Sequence, residues 1–424
     1  MKKSNKRILW IIAAILIVVL IAGFVVGFYY ISIMKKTLEQ VTTVDGSKTI
    51  LSVYVWKDDP AKSIGDTVDY PYGISLSGEK SGILEQAAAK LEEQLNRKPD
   101  IREYENLFAL ADGLQSQDCR AVVLHESYLE SLAEAEGYEW VPEGFRKIGS
   151  FELNEMDDEG ADLEVPDNIP ESFVMYISGI DTFGGIKARS RSDVNILAAV
   201  NTKTKQVQMI STPRDSYVDF SATKGKKDKL THAGIYGVEA SIDALERLYG
   251  IGINYYLRIN FSGFVNVIDA LGGVEVYSDY DFTVKDIKEY HKGYNQLTGI
   301  EALAFARERY SFARGDYQRA KNQMEVIRAV ILKCSTTAVL KNYRAVMEAI
   351  GGSFETNMPE NQILSLVKMQ LSDQGQWNVS TYTTEGAGAS KETYSMPGRN
   401  LYVVLLNQDS IKQAKEMLEK VQNP

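Results

Sequence analysis

Hydrophobic positions change their rhythm three times along this chain. From Ile8 to Met34 no charge interrupts a run of 27 residues. As a helix such a run is about 40 Å long, more than a hydrocarbon core of about 30 Å requires. It predicts one transmembrane helix over 8–34 behind a cytoplasmic tail at 1–7, since Lys2, Lys3, Lys6 and Arg7 precede it and only Lys35 and Lys36 follow. A cleaved signal peptide competes with this reading, but the run is about twice the usual apolar core of one and no A-x-A-like site ends it. The rest of the chain is expected outside the cell, attached to its membrane by a single pass.

The second rhythm alternates strand and helix. A β-branched run, Thr49 to Val55, is followed by Ile83, Ala87, Leu91 and Leu95 on one helical face. Next come a strand at Asp100 to Tyr104, a helix around Leu107 to Leu114, the apolar run Ala121 to Leu124 and a helix near Tyr128 to Ala135. This order predicts a small α/β accessory domain over 40–160. It has no recognisable catalytic cluster and reads equally as a ligand or partner module and as a spacer. Nine carboxylates and no base lie between Glu152 and Glu171, with Pro166 and Pro170 among them, which predicts a solvated linker, its core at 161–172.

The third region, 173–424, opens with the strands Phe173 to Ile180, Val194 to Val200 and Gln206 to Ile210, joined by short links. Paired as an antiparallel meander, they bring Asp181, Arg191, Asp193 and Arg214 to one sheet edge. Further on, Leu257 to Asn260 reads as a strand, Phe264 to Leu271 as a helix, and Thr298 to Glu301 as a capping box opening a helix that reaches Arg307 and Arg309. On a helix from about Asp316 to Lys333, Asp316, Arg319 and Gln323 share one face. After residue 340 the pattern supports a few strands and an amphipathic helix from Ser410 to Val421.

Composition refines this. Two cysteines in no zinc or CxxC spacing, with three histidines, exclude a disulfide framework and a histidine-rich metal site. The net charge of −10 conceals an uneven distribution. With the six cations flanking the apolar run set aside, 41 basic residues face 57 acidic ones, yet between Asp181 and Val330 the count is 21 basic to 18 acidic. Two converging aspartates repel one another, which either a raised pKa or a bound cation relieves, and oxygen ligands of this kind suit Mg2+ or Mn2+. Arg191, Arg214, Arg307, Arg309 and Arg319 around them match phosphate oxygens. A pyrophosphate and phosphoryl transfer fit this set. The competing reading pairs each arginine with a neighbouring acid, Arg214 with Asp215 or Arg309 with Glu308. Gly250-Ile-Gly252 lacks the setting of a dinucleotide site, and no G-x-S-x-G elbow occurs.

The stretches SGIDTFGGIKARSRSDVNILAAV, STPRDSYV, KLTHAGIYG, NFSGFVNVIDALGGVEV and LTGIEALAFARERYSFARGDYQRAKNQ, spanning about 174–330, resemble the LytR-CpsA-Psr family of bacterial cell-wall enzymes. The resemblance implies an α-β-α sandwich holding a polyprenyl phosphate or pyrophosphate lipid in an apolar tunnel. It also implies transfer of a lipid-linked glycopolymer, teichoic acid or capsular polysaccharide, to peptidoglycan with Mg2+. Carried over by position, Asp181 and Asp193 match the metal-site carboxylates. Arg191, Arg214, Arg307, Arg309, Arg319 and Gln323 match the pyrophosphate contacts, as does Lys229 in a loop of variable length. Asp316 matches an acidic position that orients Arg319 or accepts a proton. Many members have arginine where this chain has Asn322, which leaves the site less basic by one charge. The accessory domain, with GILEQAAAKLEEQL and DCRAVVLHESYLESL, is similar to that of the capsule-associated branch. Phe261, Phe264, Val265, Ile268 and Leu271 are candidate tunnel residues, with ordinary core packing as the alternative, and His232 is expected to be a hydrogen-bonded structural residue.

Three functions follow: a membrane-anchored phosphotransferase, a hydrolase of the same lipid pyrophosphate, and a membrane-bound regulator of envelope synthesis. Nucleic acid is not an expected partner, because the basic segment lies outside the cell and lacks a recognition helix. The proton acceptor stays open among Asp181, Asp193 and Asp316.

Overall fold

The computed structural model describes residues 48–77, 82–154, 168–180, 189–336, 352–373 and 375–424. The expected anchor at 8–34, most of the acidic linker and Asp181 lie outside the described residues. Among those described, no helix is long and apolar enough to cross a membrane.

The accessory sheet contains β1 (Lys48–Trp56), β2 (Pro71–Ser75), β3 (Asp100–Tyr104), β4 (Ala121–His125) and β5 (Phe145–Asn154), in the order β3-β2-β4-β1-β5. It is mixed: β2 runs parallel to β3 and β4, and β1 antiparallel to β4 and β5. Helix α1 (Ile83–Leu95) buries the four residues of its periodic stripe, Ile83, Ala87, Leu91 and Leu95. Helix α2 (Leu107–Gln115) starts where the Asn106 side chain accepts from the Ala109 amide. Helix α3 (Ser127–Ala133) follows β4 directly. Two strands depart from the sequence reading. At the centre of β2, a Cβ on Gly73 would lie 2.6 Å from Leu110, so the glycine that weakens the strand pattern lets α2 approach. Strand β5 takes Glu152 into the sheet beside Ile50, so the linker begins later than its acidic composition suggests.

The larger sheet contains β6 (Ser172–Ile180), β7 (Ser192–Asn201), β8 (Gln206–Ser211), β9 (Tyr255–Ile259), β10 (Phe354–Thr356) and β11 (Asn378–Thr383), ordered β10-β9-β6-β7-β8-β11. β6, β7 and β8 form the expected antiparallel meander, while β9 joins β6 and β11 joins β8 in parallel. Alternate side chains go to opposite faces. Val174, Tyr176, Leu197 and Ile210 pack with α4 (Val238–Tyr249) and α9 (Gln408–Gln422), through Leu245, Ala414 and Leu418. On the other face Ile196, Ala198 and Met209 meet Met324, Ile327 and Ile331 of α7 (Gly315–Cys334). That face also carries α5 (Phe261–Ala270), α6 (Gly299–Arg307) and α8 (Glu360–Asp373) around an open interior.

The two domains share a core in which Tyr128, Leu132 and Tyr138 contact Ile235, Met396 and Leu401. Each large apolar side chain buried there is worth about 1.5–3 kcal/mol, enough to hold α3 in one place against the larger domain.

Candidate active site

Gly179 pairs with Val194 and Ile180 with Ser192, so Asp193 has no partner and bulges from the ladder. Bulges re-aim side chains. Gly179 makes this one possible, since a Cβ there would lie 2.7 Å from the Val194 side chain. The bulge turns Asp193 towards the loop after β8, where Arg214 Nη1 donates to both carboxylate oxygens at 3.2 and 3.1 Å and the Thr231 hydroxyl donates at 3.1 Å. Burial pushes the Asp193 pKa up, but the guanidinium groups of Arg214, Arg191 and Arg319 outweigh it and hold the carboxyl at about 2.

Burial opposes the charge of Arg214 too, and Asp193, Asp215 and Glu134 more than compensate. Its Nε lies 3.5 Å from Asp215 yet makes no hydrogen bond, a buried donor left without an acceptor. Arg319 is shifted the other way: burial and the nearby Arg214 and Arg309 lower its pKa despite Asp316 at 3.1 Å. Arg309 pairs with Asp316 at 3.7 Å, whereas Glu308 accepts from the Ser311 amide. Arg307 lies over the Phe261 ring, 4.3 Å from its centroid. Four arginines thus gather at this edge, each of Arg214, Arg309 and Arg319 beside a carboxylate that an entering anion would have to displace or share.

Behind it a cavity of about 1380 Å³ runs between the sheet and α5 to α8. Met175, Ile177, Ile327 and Leu366 give it apolar walls, and Asp193, Arg214, Arg307, Arg309, Arg319 and Gln323 line its charged end. Phe261, Phe264 and Ile268 line the interior. Val265 does not. Its backbone abuts α6, where a Cβ on Gly299 would lie 2.4 Å from the Val265 carbonyl oxygen, and Val267 faces the cavity instead. Leu271 is buried outside the lining. Among the described residues no group of three or more His, Cys, Asp or Glu side chains could hold a metal. The Asp193 carboxylate is one oxygen ligand of the kind Mg2+ takes, alongside phosphate and water oxygens, and here both its oxygens accept from Arg214.

A family model, the LytR_cpsA_psr family, matches residues 150–420. This chain belongs to the LytR_cpsA_psr family. The Bacillus cereus protein named polyisoprenyl-teichoic acid–peptidoglycan teichoic acid transferase TagU is 38% identical over 206 residues, 48% of this chain and 66% of that protein. Its namesake in Enterococcus faecalis is 35% identical over 193 residues, 45% of this chain and 63% of that one. The chain thus spans just under two thirds of the length of these curated relatives. The crystal structure of B. subtilis TagV superposes with a TM-score of 0.50 at 26% identity, covering 59% of this chain and 97% of that one.

Beyond its family motifs, this LytR_cpsA_psr protein brings in two residues that sequence reasoning missed. Arg191, its side chain 4% exposed, pairs with Glu130, and Lys229, 1% exposed, pairs with Glu134 and lies 3.2 Å from Asp215. Glu134 also lies 3.5 Å from Arg214. Both glutamates come from the accessory domain, Glu130 within α3 and Glu134 capping its C-terminus, and that four-residue spacing was the available signal. His232 fastens the same helix: fully buried, it bonds Asp228 at 2.7 Å, Ser395 at 3.0 Å and Ser131 at 3.2 Å. Asn322 is turned away from the cavity, bonded to Gln318 and the Phe305 carbonyl.

An anion entering the charged end competes with Glu134 for Arg214 and Lys229. Glu134→Gln removes the charge and keeps a hydrogen-bond acceptor. Calorimetry with inorganic pyrophosphate is expected to show about tenfold tighter binding, equivalent to about 1.4 kcal/mol. Unchanged or weaker binding would mean that Glu134 does not compete for these cations.

Proposed function

We propose that this chain is a membrane-anchored phosphotransferase that moves a glycopolymer, teichoic acid or capsular polysaccharide, from a polyprenyl pyrophosphate carrier to peptidoglycan. The observation that carries this reading is one cavity with two chemistries: an apolar interior within a volume of about 1380 Å³ and an end lined by Arg214, Arg307, Arg309 and Arg319. Relatives named as teichoic acid transferases support it. So do the helices on both faces of the larger sheet, the sandwich arrangement that suits such a cavity.

In this reaction a peptidoglycan hydroxyl attacks the sugar-linked phosphorus, an oxygen–phosphorus bond forms, the bridging bond breaks, and polyprenyl phosphate leaves. Positioning and charge neutralisation supply most of the acceleration in such transfers. Arg214 lines the end of the cavity where the phosphates would sit, and Arg319 and Arg309 are held beside it by Asp316. Asp193 and Asp181 would hold Mg2+ or Mn2+, which neutralises phosphate charge when bound. At a pKa of about 2, Asp193 is a poor proton acceptor. Asp316, its side chain 55% exposed, is the remaining candidate to take the proton.

The full chain in detergent, given lipid-linked glycan, Mg2+ and peptidoglycan, is expected to attach polymer covalently to the wall material. Release of free polymer alone, with peptidoglycan present, would show a hydrolase in its place.

A further inference from the structure

A second cavity, of about 620 Å³, opens beside the charged end of the first, and Glu134 lines both. One wall is the turn that follows the accessory domain's α3, with Glu134 and Glu136. The other is a hairpin formed by the strands Gly386–Glu392 and Asn400–Leu406. That hairpin rests on the loop carrying Arg214: the Val404 amide donates to the Asp215 carbonyl at 2.7 Å. Arg399 spans the two walls, its guanidinium 5.4 Å from the ring centroid of Tyr138 in the accessory domain.

The lining differs in kind from that of the first cavity. Gly388, Ala389 and Ser390 make a low floor, and the Tyr402 ring lies over Gly388, where a Cβ would approach it to 2.8 Å. The ring stays 53% exposed. Packing over a glycine explains how the ring is held. It does not explain why a polar wall from another domain faces it across an open groove. A rigid aromatic face with carboxylate, amide, hydroxyl and guanidinium groups around it suits a pyranose, whose C–H face stacks on the ring while its hydroxyls take the polar groups.

We infer that this groove is a saccharide subsite, built jointly by the accessory domain and the C-terminal hairpin, that holds a sugar next to the reacting phosphate. The inference rests on the phosphotransfer reading for the identity of the sugar, which belongs either to the acceptor glycan strand or to the donor polymer.

The test uses the full chain in detergent and the exchange Tyr402→Ala, with Tyr402→Phe to restore the ring. Two binding probes are titrated by NMR without lipid: an N-acetylglucosamine–N-acetylmuramic acid tetrasaccharide and a soluble repeat unit of the polymer. One of them is expected to bind, about tenfold more weakly to Tyr402→Ala and normally to Tyr402→Phe. In transfer assays the KM for the matching substrate should rise about tenfold with kcat nearly unchanged. A raised acceptor KM assigns the groove to peptidoglycan, and a raised donor KM to the polymer. Binding of neither probe to the wild type, or binding and both KM values unaffected by Tyr402→Ala, overturns the subsite. A wild-type protein that binds saccharide through Tyr402 but transfers nothing overturns the phosphotransfer reading and leaves the subsite standing.

Discussion

Arg214→Ala is expected to lower kcat/KM for polymer transfer by about 10³-fold, the scale seen when one preorganised donor to a developing phosphate or oxyanion charge is removed. Arg214 is one of a ring of cations, but its role is not shared. Its Nη1 holds both oxygens of Asp193, and its Nε is a buried donor with no hydrogen-bond acceptor. Removing it would take away the proposed phosphate contact and the largest stabilising charge on Asp193, whose pKa should then rise from about 2 as burial gains weight. Arg214→Lys keeps a charge but not the planar fork, and should recover only part of the loss. Single-turnover kinetics with saturating lipid distinguish the two effects: a defect that persists at saturation belongs to chemistry. Transfer within threefold of wild type for Arg214→Ala would remove this residue from the reaction.

How far the site could be read from sequence depends on what placed each residue. The convergence of Asp193 and Arg214 was legible because short links between three strands leave a meander as the economical topology, and a meander returns the chain to the same edge. The bulge that frees Asp193 was not, because it arises from the close packing of Gly179 on Val194, a tertiary contact without a periodic signature. Helix α5 shows a similar limit. Its start at Phe261 depends on the Asn260 side chain accepting from the Gly263 amide at 2.8 Å, whereas Ser262-Gly263 reads locally as a loop. The exchange of Val265 for Val267 in the lining follows from α6 pressing on that helix. Glu130 and Glu134 lay furthest from view, since a domain with no catalytic cluster of its own completes the charge balance of another through one docked helix.

The apolar interior makes a prediction that the charged end does not. Ile327 lies one helical turn beyond Gln323 on α7, and both line the cavity, so a larger side chain at 327 stands directly behind the phosphate end. Ile327→Trp is expected to weaken binding of a long-chain polyprenyl pyrophosphate by a hundredfold or more, while inorganic pyrophosphate binds as before. Burial of each methylene-sized group is worth about 0.8 kcal/mol, so excluding a single five-carbon isoprene unit forfeits about 4 kcal/mol. Overpacking a filled core costs about 1–3 kcal/mol of stability, but here the indole has open volume to enter, and the melting temperature should move little. The two ligands separate the explanations. Equal losses for both would place the damage at the arginines, and equal retention of both would mean that the lipid chain does not thread past α7.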